Sequence, residues 1–142
     1  MVMQQISLAT TIILLFPLGF FLLSSLTFLL ARLQDPVVTW MLRGLFSVCF
    51  LGASLTAAMA ALAFVGAARP AVAIGLALLA AVAFQARRLF LRGLDQQILA
   101  RDGGDGLAVS RLRRLHVGGM LVNATQFVAV VASIPHVFPG AL

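Results

Sequence analysis

Lysine is absent from this 142-residue chain, cysteine and tryptophan occur once each, and only four residues are acidic. Each shortage excludes something. With Cys49 as the sole cysteine, no intrachain disulfide can form. Cys49 falls early in an apolar run and reads as a small buried residue rather than a redox centre. The four acids, Asp35, Asp95, Asp102 and Asp105, all lie outside the long apolar runs. Proton- and sodium-coupled transporters place carboxylates inside their spans, so this shortage argues against active secondary transport. It leaves room for a passive path or one formed between subunits. Charged residues make up 10% of the chain against 62% hydrophobic ones, which does not fit a soluble domain. The lack of lysine makes arginine the whole basic complement, as expected of a GC-rich bacterial genome.

What is present is apolar sequence in four runs, with a mean hydropathy of +1.10. A membrane span takes roughly 20 apolar residues, so four spans and their connections occupy nearly the whole chain. The expected fold is all-α: a polytopic membrane protein of four transmembrane helices arranged as two helical hairpins. The expected spans are 6–31, 44–67, 70–86 and 115–134, with a cytoplasmic amphipathic hairpin over 87–114. All belong to one domain, 1–142.

Nine of the ten arginines fall on one side of these spans. Arg32 and Arg43 lie between runs one and two. Arg87, Arg88, Arg92, Arg101, Arg111, Arg113 and Arg114 lie between runs three and four. Only Arg69 falls between runs two and three. Short arginine-rich loops stay cytoplasmic, which puts both termini outside the cytoplasm and the protein in a bacterial inner membrane. In a soluble protein a net charge of +6 would raise the question of nucleic acid. Here the arginines orient the chain and face anionic headgroups, and no nucleic-acid partner is expected. The N-terminus lacks positive charge and a small-residue cleavage site, so the first run is expected to remain as a span.

Several local features refine this outline. Pro17 removes one helical hydrogen bond and marks a kink in span one. Asp35-Pro36 suits a helix start, with Asp35 as the cap. Trp40 sits at interfacial depth. In span two, Ala53, Ala57 and Ala61 form one row of small residues, and Gly52, Thr56 and Ala60 an adjacent one. Such rows let helices approach closely in lipid. Span three is short, so Arg87 and Arg88 are expected to snorkel and the helix to continue into the cytoplasm. There Phe90, Leu91, Leu94 and Ile98 share one face, with Arg88, Arg92, Asp95 and Gln96 mostly on the other. The glycine-rich stretch 102–106 stops that helix, and Asp105 can cap the next one. That stretch lacks the ligand spacing of a calcium loop and the lysine of a phosphate-binding loop. Pro135 is expected to end span four. The second hairpin is thus expected to project two to four turns beyond the membrane, with arginine on both arms.

The most specific candidate site lies on span four. His116, Gly119, Asn123, Gln126 and Ser133 recur at helical steps, with Thr125 near the edge of their face. A polar stripe in a lipid-embedded helix must face protein or water. It either lines a path for an ion or small molecule, or supplies interhelical hydrogen bonds; the second reading is preferred. His116 and His136, the only histidines, are 20 residues apart, roughly 30 Å along a helix, and cannot share one metal or haem. No catalytic residue, metal set or cofactor is expected. Arg87, Arg88, Arg92, Arg111, Arg113 and Arg114 form the surface expected to meet anionic lipid or an acidic partner.

The segment Leu-His-Val-Gly-Gly-Met-Leu-Val-Asn at 115–123 resembles the last span of the transmembrane protein 205 family and its bacterial relatives. That family carries a histidine, a small or hydroxyl residue three later and an asparagine seven later, matched here by His116, Gly119 and Asn123. Leu-Phe-Ser-Val-Cys-Phe at 45–50 resembles the opening of its second span. The order of four spans, with a long basic connection before the fourth, is similar too. Gly119 replaces a common serine, Ser47 replaces a common proline, and an acid-proline element after span three is absent. The resemblance implies a non-enzymatic membrane protein connected with transport or trafficking.

The leading functional expectation is a small integral membrane protein that works by helix packing, as an accessory subunit of a larger complex or as a homo-oligomer. Its partners would be membrane lipids, including anionic headgroups, and other membrane subunits or itself. The alternatives are a transporter or channel with its path along span four, and a haem- or quinone-associated subunit of a redox complex.

Overall fold

The structure, a computed structural model, describes residues 2–138. Four helices follow in order: α1 (Val2–Leu30), α2 (Pro36–Gly66), α3 (Pro70–Asp102) and α4 (Ala108–Val137). All four are long and apolar enough to cross a membrane. With 29 to 33 residues each, they are about 44–50 Å long, well beyond the roughly 30 Å of a hydrocarbon core. Each helix packs on its two neighbours in the ring α1-α2-α3-α4.

The helix ends follow local chemistry. Asp35 Oδ1 accepts from the Val37 amide at 2.8 Å, and Pro36 occupies the first helical turn, where its missing amide hydrogen costs nothing. At the end of α2, Arg69 N donates to the Phe64 carbonyl and Ala68 N to the Val65 carbonyl, with Ala68 at φ 56°. At the end of α3, Asp105 N donates to the Ala100 carbonyl and Gly104 N to the Arg101 carbonyl, with Gly104 at φ 90°. The two turns share one bonding scheme, and glycine is the residue that suits the left-handed position. Ala68→Gly is therefore expected to stabilise the protein by about 0.5–1 kcal/mol in thermal unfolding. A drop in stability would contradict this.

Pro17 lies within an unbroken α1, and Gly52 of α2 packs against it: a Cβ at 52 would stand 3.4 Å from the Pro17 Cβ. Pro135 does not end α4, contrary to expectation; the helix continues to Val137. Proline forfeits one backbone bond, and here Phe138 N still closes the last turn on the Ile134 carbonyl at 2.8 Å.

The interior divides into two clusters. One, toward the Arg69 end, gathers Leu14, Leu18, the α2 alanines, Phe64 and Val130. The other, toward the arginine-rich end, gathers Phe21, Leu33, Phe46, Phe50, Leu94 and Leu112. Leu33 belongs to the turn between α1 and α2 and is fully buried. Arg101 of α3 donates to the Leu33 carbonyl at 3.3 Å and to Thr39 Oγ1 at 2.8 Å. The second hairpin therefore does not project alone: the first reaches nearly as far, because burying Leu33 requires α1 and α2 to extend beside it.

Candidate functional site

On α4 the fully or nearly buried row is His116, Gly119, Asn123, Gln126 and Val130. Four of the five stripe residues thus face the interior. Ser133 does not: it lies at the edge of the buried arc, is exposed, and donates to the Val130 carbonyl at 2.7 Å. Thr125 is also exposed and bonds back to the Leu121 carbonyl, which satisfies its hydroxyl where lipid offers no partner.

The buried members differ in how they are satisfied. Asn123 Nδ2 donates to the Leu18 carbonyl of α1 at 2.7 Å. That bond sets the α1–α4 register. Seven residues along α1 and seven back along α4, the same antiparallel register brings Ser25 level with His116. Ser25 Oγ, both His116 ring nitrogens and both Gln126 amide atoms are buried without a hydrogen-bond partner. The His116 ring lies edge-on to Phe28 and Phe46, with centroids 6.3 Å away in each case. Phe46 also meets Phe21, Phe50 and Phe90, so an aromatic group from three helices closes the centre at this level.

Gly119 is the point where this group touches α4. A Cβ there would overlap the ring of Phe46. Phe46 comes from α2, which is diagonal to α4, so its side chain spans the centre of the bundle. Glycine three after the histidine is therefore a steric requirement here.

The partnered and unpartnered amides predict different costs. Asn123→Leu loses an interhelical bond and should destabilise by about 0.5–2 kcal/mol. Gln126→Leu loses none and should be neutral or stabilising by about 1 kcal/mol. Denaturation of the two variants in one detergent checks the contrast, and equal losses would refute it.

Of the small-residue rows on α2, Ala53, Ala57, Ala60 and Ala61 are buried. Gly52 faces Pro17, and Thr56 returns its hydroxyl to the Gly52 and Ala53 carbonyls. Ser54 donates across to the Ala80 carbonyl of α3 at 3.0 Å. These rows pack within the bundle.

The arginines separate into two groups. Arg113 donates to the carbonyls of Phe28, Leu29 and Ala31 at 2.8, 2.5 and 2.9 Å. Arg87 bonds the Ser47 carbonyl and hydroxyl, and Arg69 bonds the Val137 carbonyl at the opposite end. Arg43 forms a two-pronged pair with Asp95 at 2.5 and 3.0 Å. The hydrogen bond to Asp95 raises the Arg43 pKa; partial burial opposes the rise and the aspartate charge adds to it. Both partners are over 40% exposed, so the pair contributes at most about 1 kcal/mol. Arg111 pairs with Asp105 at 3.0 Å, and Arg101 pairs with Asp102 at 2.7 Å. Among the described residues, the side chains of Arg32, Arg88, Arg92 and Arg114 are exposed and make no hydrogen bond or ion pair. Of the six arginines expected to meet an anionic partner, Arg87 and Arg113 thus have bundle contacts, and Arg88, Arg92, Arg111 and Arg114 face outward.

Sequence reasoning missed the structural roles of Phe46, Arg43 and Arg101, because each depends on a residue more than 50 positions away. No three histidine, cysteine or acidic side chains converge among the described residues. His136 is exposed near the other end, its Nδ1 3.2 Å from the Ala132 carbonyl. Comparison with protein-family models, curated proteins and solved structures finds no match to this chain.

Proposed function

We propose that the protein is a non-enzymatic subunit of a bacterial inner membrane that works by helix packing, within a larger complex or as a homo-oligomer. Its arginine-rich end faces the cytoplasm and meets anionic headgroups or an acidic partner, and both termini lie outside. Kinship with the transmembrane protein 205 family, on His116, Gly119 and Asn123, belongs to this reading.

Closure of the interior carries the proposal. The three clefts described lie at the α3–α4 seam or near the Arg69 end, and none is lined by His116, Asn123 or Gln126. The outer faces of all four helices carry exposed apolar side chains, among them Phe16, Leu23, Leu62, Ile74, Leu78 and Leu121. Gly44 and Gly75 have open space where a side chain would stand, so a neighbouring helix can approach there. Native mass spectrometry from nanodiscs tests the proposal. A self-oligomer or a stoichiometric membrane partner is the expected result; a lone monomer with nothing co-purifying would overturn it.

A specific observation favours a second reading. The unpartnered buried groups of Ser25, His116 and Gln126 leave polar capacity that a hydrated or ligand-bound state would use. In that case the protein is a small transporter or channel along α4. Flux into liposomes, lowered by Asn123→Leu and Gln126→Leu, would establish it; flux unaltered by both removes the stripe from the mechanism.

A further inference from the structure

The α3–α4 seam at the arginine-rich end holds a cleft of about 470 Å³ that the packing proposal does not use. Its polarity is graded along its length. Phe90 faces Gly118 and Gly93 faces Leu115, which fixes the local register between the two helices. One turn farther from the membrane come Gln96 and Gln97 on α3 and Arg111 on α4, with Arg114 beside Leu115. The floor is therefore apolar toward the membrane and cationic toward the cytoplasm. Glycine at 93 keeps the floor open: a Cβ there would stand 3.2 Å from the Leu115 methyls.

Two observations point to a ligand. No carboxylate lines the cleft, while two guanidinium groups do. Asp105 takes one Arg111 nitrogen at 3.0 Å, which holds that side chain in place and leaves its other donors available. Separately, Gln97 Oε1 is buried without a partner. Gln97 also lines the cleft, and the NH2 group of its amide is a donor for an acceptor seated there.

From this geometry we infer that the cleft binds one anionic phospholipid. The phosphodiester lies between Arg111 and Arg114 with Gln97 as a further donor, and the start of an acyl chain lies along Phe90 and Gly118. Arginine suits this role because its planar fork meets phosphate oxygens in pairs. The graded floor selects a lipid over a free anion, since phosphate alone has nothing to place on Phe90. The assignment rests on the proposed orientation, in which this end of the bundle lies at the cytoplasmic headgroups.

Full-length protein in nanodiscs of mixed phosphatidylcholine and phosphatidylglycerol tests it, with bound lipid read by native mass spectrometry after gentle release. One retained phosphatidylglycerol per chain is expected. Arg111→Gln with Arg114→Gln should lower its retention about tenfold. Arg32→Gln removes a charge at the same end of the bundle, outside the cleft, and should leave retention unchanged. Arg114→Lys with Arg111→Lys should restore part of the lost binding, which separates charge from misfolding. An equal loss in Arg32→Gln, or no preference for phosphatidylglycerol, overturns the site. Displacement of the lipid by inorganic phosphate would overturn the lipid assignment in favour of a free anion. Extraction of the wild-type chain from membranes by alkaline carbonate would instead overturn the membrane reading on which the site rests.

Discussion

Gly119→Ala is expected to destabilise the bundle by about 1–3 kcal/mol, although alanine is the better helix former. Helix propensity favours alanine over glycine by about 1 kcal/mol, so the sign of the effect identifies its cause. The added methyl would overlap the Phe46 ring. Phe46 cannot swing away, because Phe21, Phe50 and Phe90 hold it at centroid distances of 5.0, 5.7 and 5.4 Å. Interiors packed at crystal-like density transmit such an overlap to the helices themselves. Phe46→Leu alone should also be costly, since it leaves a void where a fully buried ring stood. Together the two changes should cost less than their sum, because the leucine vacates the space that the new methyl takes. Denaturant titration of the four proteins in one detergent gives the coupling. Additive losses, or a stabilising Gly119→Ala, would show that the two residues do not meet.

Arg113→Gln should cost about 2 kcal/mol, as hydrogen bonds from a charged donor are lost. The last four carbonyls of a helix have no partner within it. α1 ends at Leu30 with no basic residue in its last turn. Arg113 of α4 supplies donors to three carbonyls at that end, and its positive charge opposes the negative end of the helix dipole. Arg113→Lys should recover only part of the loss, because one ammonium group cannot reproduce the forked geometry. Topology should stay unchanged, since eight arginines remain at that end. Selective fraying at the end of α1, read by amide exchange, is the signature that separates this capping role from a general loss of charge. A loss below about 0.5 kcal/mol would show the contacts to be dispensable.

Much of the fold was legible because helices in lipid obey one-dimensional rules. Length and hydropathy predict four spans, and all four helices appear. The Asp35-Pro36 start and the glycine stop after α3 are short-range chemistry, and both hold in the structure. The helical period places His116, Gly119, Asn123 and Gln126 on one face, and all four are buried. Ser133 fails the same test because the buried row advances through Val130 and leaves Ser133 at its edge. Pro135 misled for a related reason: proline's penalty is one bond, and α4 has only part of a turn left to lose.

What the sequence determines by itself is therefore what neighbouring residues settle among themselves: helix extent, caps, apolar faces and the side on which charge accumulates. The tertiary structure decides which arginines cap, which pair and which stay open, for a guanidinium is equally basic in each case. It also decides that position 119 has no room for a side chain, because Phe46, 73 residues earlier, reaches it from the diagonal helix. Such choices follow from the register of antiparallel helices, and register is a property of packed pairs that no single helix encodes.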